Sequence, residues 1–260
     1  ERDYFQAYFF RGFAKFQMND LWGSEADFTK CIEQVPTHND ALHYRAIVRS
    51  QLLNYEAAFK DFEMAIRYDS TNEEIYLNRA ISYLSIENYE EAIADCNRSQ
   101  RLNPKDLKSL VIRAIAETEL ENFELAMLDF NKVIRKEPLN ALALTHRASC
   151  LRQLGRFEEA ESDIRFILLK DSMNVDALLQ LAFLENAVLE KALSEVMLRD
   201  AQRLARRVDG LKRRQRDNKP IDRGVQEIQR DLEKAKRLLA NREALKVALD
   251  YPAELPVVER

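Results

Sequence analysis

Three histidines, His38, His43 and His146, and three cysteines, Cys31, Cys96 and Cys150, have the widest chemical repertoire in this 260-residue chain. A metal centre would need them gathered at ligand spacing, as in a Cys-x-x-Cys pair with a nearby histidine. No such pair occurs, the cysteines lie far apart, and their odd number excludes a fully paired disulfide framework. There is no glycine-rich phosphate loop and no nucleophile elbow, and the carboxylates fall on a regular grid rather than around a histidine. The chain is therefore expected to carry no metal, no cofactor and no catalytic activity. Cys96 and Cys150 stand on packing positions and read as buried structural thiols.

Charge chemistry has a clear pattern. Arg11, Arg45, Arg79, Arg113 and Arg147 recur every 34 residues, each followed by a small residue: Gly12, Ala46, Ala80, Ala114 and Ala148. Asp27, Asp61, Asp95, Asp129 and Asp163 repeat with the same period. A fixed period of this length marks a repeat architecture. If each unit is a pair of short antiparallel helices, the spacing brings each arginine to the aspartate that follows it, predicting an ion-pair ladder such as Arg45 with Asp61.

The elements that must hold this ladder can be read from one unit. Residues 39–53 and 56–68 show helical spacing, with Asn54-Tyr55 at the turn. Asn39, Asn72, Asp106, Asn140 and Asn174 stand at or beside helix starts, as capping side chains do. Ser24, Ala58, Ala92, Ala126 and Ala160 form a small-residue column. Ala46 is thus expected to face Ala58, and Ala80 to face Ala92, where the helices pack closely. Phe28, Phe62, Phe130 and Ile164 supply bulk between hairpins. Pro36, Pro104 and Pro138 share one column, with Ser70 and Ser172 in the other two units. Only 5 Gly and 6 Pro leave too few turn formers for a many-stranded sheet protein.

In the third unit, Tyr76, Ala80, Tyr83, Tyr89, Ala92, Ser99 and Pro104 give a pattern that resembles the tetratricopeptide repeat family. The resemblance covers residues 5–174 as five units, about 5–38, 39–72, 73–106, 107–140 and 141–174. It implies an all-α, right-handed superhelix of helical hairpins whose first helices line a concave groove. Such a groove holds a peptide or helix of another protein and performs no chemistry.

On the groove positions that this frame assigns stand Phe9, Phe10, Phe13 and Phe16 in the first unit and Tyr44 and Ile47 in the second. Leu77, Asn78 and Ile81 follow in the third unit, and Val111, Ile112 and Ile115 in the fourth. A strip this apolar predicts an amphipathic helix or apolar extended segment as ligand, unless neighbouring repeats consume part of it. The fifth unit turns polar at Thr145, His146, Ser149, Arg152 and Gln153. Heat-shock cochaperones of the family grip a chaperone's C-terminal carboxylate with lysine, arginine and asparagine. The corresponding frame here, His43, Ile47, Asn78, Lys108 and Ile112, matches only at Asn78 and Lys108, and an isoleucine cannot replace a cation.

After Asp171 the template fades. Leu178, Leu181 and Ala182 fit a sixth first helix, but residues 174–209 hold no Gly or Pro and equally suit one long helix. Asp217-Asn218-Lys219-Pro220 ends it, and Asp222 starts another carrying Val225, Ile228, Leu232, Ala235, Leu239 and Leu249. An antiparallel helical hairpin or coiled coil over 175–250 follows, then an extended tail over 251–260. Residues 1–174 carry 22 basic and 29 acidic side chains, net −7, and residues 175–260 carry 18 and 15, net +3. Arg206, Arg207, Arg213 and Arg214 form a basic surface for a second, acidic partner or for self-association. The basic run lacks interleaved aromatics for base stacking, which argues against nucleic acid.

These observations lead to a non-enzymatic interaction scaffold or adaptor that holds a protein segment in its groove and a second protein through its C-terminal helices. The alternatives are a structural component of a ciliary or cytoskeletal, microtubule-associated assembly, and a groove occluded by the chain's own C-terminal helices. With no apolar run long enough to span a bilayer and no signal peptide or initiator methionine, the chain is expected to be a cytoplasmic piece of a longer protein.

Overall fold

The computed structural model describes residues 4–172, 174–181, 183–185, 187, 188, 191 and 206. Ten helices follow in order: α1 (Tyr4–Gln17), α2 (Leu21–Gln34), α3 (Asn39–Gln51), α4 (Tyr55–Tyr68), α5 (Glu73–Ser85), α6 (Tyr89–Leu102), α7 (Lys108–Glu119), α8 (Phe123–Lys136), α9 (Ala141–Gln153) and α10 (Phe157–Lys170). Residues 175–181 are again helical, and there is no strand among the described residues. Contacts divide the chain into two units, Glu1–Leu181 and Ala182–Arg260. The C-terminal hairpin or coiled coil and the 251–260 tail expected from the sequence lie almost wholly outside the described residues.

Each odd-numbered helix packs on the helix that follows it, giving five hairpins, and each even-numbered helix up to α8 packs on the next hairpin's first helix. First helices of successive hairpins also touch one another, whereas successive second helices do not. The solenoid of the first unit therefore curves toward its first helices, which makes theirs the concave face.

The small columns explain how the hairpins close. Ala46, Ala58, Ala80, Ala92, Ala114, Ala126 and Ala160 are completely buried. In the first hairpin the pair is Gly12 with Ser24. A Cβ on Gly12 would come within 3.1 Å of the Phe28 ring, and the Ser24 hydroxyl donates to the Gly12 carbonyl at 2.8 Å. The bulky column, Phe28, Phe62, Cys96, Phe130 and Ile164, fills the interior with no more than 1% exposure at any member.

The expected ladder is present in all five hairpins. Arg45 donates to Asp61 through Nε at 2.8 Å and Nη2 at 2.7 Å, and Arg11, Arg79, Arg113 and Arg147 make the same two-pronged contact with their aspartates. Such fork-to-fork pairs fix orientation as well as charge. A third arginine nitrogen reaches back one hairpin: Arg45 Nη1 to Thr29, Arg113 Nη1 to Asn97 and Arg147 Nη1 to Asn131, at 3.2, 2.6 and 2.7 Å. The ladder thus ties hairpins to one another, not only helix to helix.

The turns were less legible. Asn19, Leu53, Glu87, Glu121 and Gly155 occupy one 34-residue column, and all five have positive φ, between 60° and 71°. The next backbone N–H bonds back to the fifth residue before it, as in Asn54 to the Arg49 carbonyl at 2.8 Å and Arg156 to the Leu151 carbonyl at 2.8 Å. This is the Schellman closure of a helix. The same next residue then starts the second helix, and Asp20, Asn54 and Asn88 cap it with their side chains.

Capping of the first helices departs from expectation once. Asn72 and Asn140 cap as expected, and Asp106 accepts from the Lys108 and Ser109 amides. At α3 the cap is not Asn39 but His38, whose Nδ1 accepts from the Ala41 amide at 3.2 Å; the Asn39 side-chain oxygen is buried without a partner. His38 is held in place by stacking on Phe9, with ring centroids 4.8 Å apart, so the imidazole lone pair is already aimed at the helix end.

Candidate functional site

The residues assigned to the groove fall into two groups. Phe9, Phe13 and Phe16 pack on Tyr44, with ring centroids 6.2, 5.1 and 6.0 Å apart, and Tyr44 stacks on Phe28 at 5.9 Å. These aromatics join the first two hairpins, so much of their apolar area is spent inside the solenoid. Phe10 remains 66% exposed.

The second group forms an open depression of about 660 Å³ across α5, α7 and the start of α9. Its floor is Leu77, Ile81, Val111, Ile112 and Leu142, and its rim is Glu74, Asn78, Lys105, Asp106, Lys108 and Glu137. Leu77 and Val111 are nearly buried, whereas Ile81 and Leu142 are 41% and 50% exposed and offer the most apolar surface. Asn78 and Ile81 also border a smaller depression of about 350 Å³ toward α3, which includes Ile47. The two hollows meet along α5 and form one trough running over three first helices. Ile115 is half-buried on α7.

His43 anchors this trough from beneath. It is buried, and its Nε2 accepts from the Asn78 amide at 3.0 Å; the same amide donates to the Glu74 carbonyl at 3.0 Å. Burial pushes the His43 pKa down to about 4, against an upward pull from Asp40. His43 is therefore neutral and supplies no positive charge for a carboxylate. His146, farther along, stacks on Phe130 with the ring planes 14° apart, and burial lowers its pKa too.

The sequence did not single out Glu74, Lys105, Asp106, Glu137 or Leu142 as groove residues. Glu74, Lys108 and Leu142 stand 34 residues apart, four positions before Asn78, Ile112 and His146, so the same column arithmetic would have found the first turn of each inner helix. Among the described residues no group of three or more His, Cys, Asp or Glu side chains could hold a metal. Burial raises the thiols of Cys31 and Cys96 to about 11 and about 12, which keeps them protonated. Of the basic surface, Arg206 is among the described residues and exposed; Arg207, Arg213 and Arg214 lie outside them. No helix of the described residues is long and apolar enough to cross a membrane.

Comparison with known proteins matches this geometry. Two sequence profiles described as tetratricopeptide repeat match residues 73–106 and 113–165. The chain is built of tetratricopeptide repeats. Solved tetratricopeptide structures share its fold. PilF of Pseudomonas aeruginosa superposes with a TM-score of 0.63 at 18% identity, covering 74% of this chain and 87% of PilF. PilW, described as a widely conserved type IV pilus biogenesis factor, gives 0.66 at 15% identity over 72% of this chain and 86% of its own. A tetratricopeptide repeat protein from Parabacteroides merdae gives 0.64 at 17% identity, over 93% and 96%. Identities this low speak for the fold alone. A further profile, the HrpA N-terminal alpha helical hairpin binding domain, matches residues 185–243. No curated protein sequence matches the chain significantly.

Proposed function

We propose that this chain is a protein-interaction scaffold that holds an apolar helix or extended segment of a partner in the trough across α3, α5, α7 and α9. The observation that carries the reading is the 660 Å³ depression, with aliphatic side chains on its floor and polar groups around its rim. Binding sites combine an apolar floor, which supplies affinity, with a few placed polar groups that fix orientation. Asn78 fits the second role, because its amide is pinned by His43 and the Glu74 carbonyl. The basic stretch around Arg206, Arg207, Arg213 and Arg214 is a second interaction surface in this reading, supported by the hairpin-domain profile over residues 185–243.

The test compares proteins captured by the wild-type chain with those captured by an Ile81→Glu, Leu142→Glu variant. Both side chains are exposed enough to change without opening the core, unlike Phe13, whose ring sits 5.1 Å from Tyr44. Each buried aliphatic anchor contributes about 1.5–3 kcal/mol, so partners seated in the trough should be lost from the variant. Identical capture by the two proteins, with matched circular dichroism, overturns the proposal.

A further inference from the structure

Asp40 and Glu74 occupy the same repeat position, 34 residues apart, in the first turns of α3 and α5, two helices that touch one another. Both are exposed, and neither is paired with a cation of the chain. A carboxylate in the first turn of a helix is stabilised in its charged form by the backbone dipole, so both remain anionic. Tyr44 lies one turn farther along α3, half-buried. Its phenol is raised first by burial and then by the charges of Glu74 and Asp40, which places both carboxylates within electrostatic reach of one ring. Two carboxylates around an aromatic ring make a seat for a lysine or arginine, through charge-assisted hydrogen bonds and cation–π attraction.

The surroundings leave that seat without a rival cation. His43, beneath it, is neutral, and the Asn78 amide is already committed. The positive side chains of the trough, Lys105 and Lys108, stand at the α7 end of the rim. The trough is therefore polarised along the solenoid, negative over α3 and α5 and positive at the start of α7. Residues 1–174, with a net charge of −7, extend the same sign over a longer range and would speed the approach of a basic partner.

We infer that the trough's partner is a cationic apolar segment of another protein, which seats two aliphatic side chains beside Ile81 and Leu142 and a lysine or arginine between Asp40 and Glu74. This rests on the groove reading above. It also sets the direction of the bound segment, with its basic residue toward α3 and its neutral or acidic end toward Lys108.

The test is selection from a random peptide display library on the immobilised full chain, followed by affinity measurement of the enriched peptides at low and high salt. Enriched peptides should share a lysine or arginine near two aliphatic residues and weaken as salt screens the pair. Asp40→Lys, Glu74→Lys should weaken them about tenfold, and the milder Asp40→Asn, Glu74→Gln variant somewhat less. Peptides that are lost on Ile81→Glu, Leu142→Glu but carry no basic residue, or that ignore both charge variants, refute the cationic partner and leave the groove reading standing. Peptides that survive Ile81→Glu, Leu142→Glu, or a selection that enriches nothing, overturn the groove reading and this inference with it.

Discussion

His43 shows how one residue can look functional in sequence and prove structural in place. Its column otherwise holds Phe9, Leu77, Val111 and Thr145, and its ring is buried like theirs, with a pKa near 4 against an ordinary value of 6.5. The native state keeps it neutral while the unfolded chain takes up a proton as pH falls below about 6.5. Its contribution to stability is therefore complete above about pH 6.5 and lost as pH falls to about 4, a total of about 3 kcal/mol. Denaturant midpoints measured at about pH 7 and about pH 5 should differ clearly in the wild type and much less in His43→Leu. Some slope should persist in the variant, because burial also lowers the pKa of His146. An unchanged slope in His43→Leu would show that the imidazole titrates freely. The sequence could not separate these roles, since a histidine facing a groove and one facing a neighbouring hairpin occupy the same helical stripe.

At the scale of the elements, the arginine and aspartate columns were fully legible and the turns were not. A two-pronged ion pair needs particular residue types at a particular spacing, so 34-residue columns of Arg and Asp disclosed it. A left-handed turn residue is set by backbone geometry and tolerates several types, and Asn19, Leu53, Glu87, Glu121 and Gly155 share no chemistry to betray it. That tolerance has an energetic consequence. An L-residue in this conformation costs about 1–2 kcal/mol, while glycine loses about 0.5–1 kcal/mol of chain entropy on folding. Glu87→Gly and Glu121→Gly should each stabilise the fold by about 0.5–1 kcal/mol. Gly155→Ala should destabilise it by a similar amount although nothing lies within 4 Å of the added methyl, so the effect is conformational rather than steric. Thermal melts of the three variants test the pair of signs together; a destabilised Glu121→Gly would mean that the turn gains more from its side chain than from its backbone.

Over the first unit as a whole, the repeat predicts uniform stacking, but the interfaces differ. The second and third hairpins meet through α4 and α5, the least extensive of the sequential helix contacts. One buried cluster gathers Phe28, Leu42, Val48 and Phe62 with Ile75 at its edge, and another gathers Ala80, Ala92, Cys96 and Ala116. Few groups bridge the seam: Phe59 stacks on Tyr83 with centroids 4.5 Å apart, Ser50 bonds Ser82 at 2.8 Å, and Asn78 bonds His43. A solenoid's cooperativity depends on each nearest-neighbour interface, so the weakest one decides whether it unfolds as one body or two. Phe59→Ala removes the largest bridge, costing about 1–3 kcal/mol at a half-buried aromatic pair. Hydrogen exchange should then separate α1–α4 from α5–α10 into two protection classes that coincide in the wild type. Exchange that stays uniform across all ten helices would show that the backbone connection and the two polar bridges suffice. The seam runs under the trough, where α3 meets α5, so separation of the two bodies would also part Asp40 from Glu74 and weaken any segment bound between them.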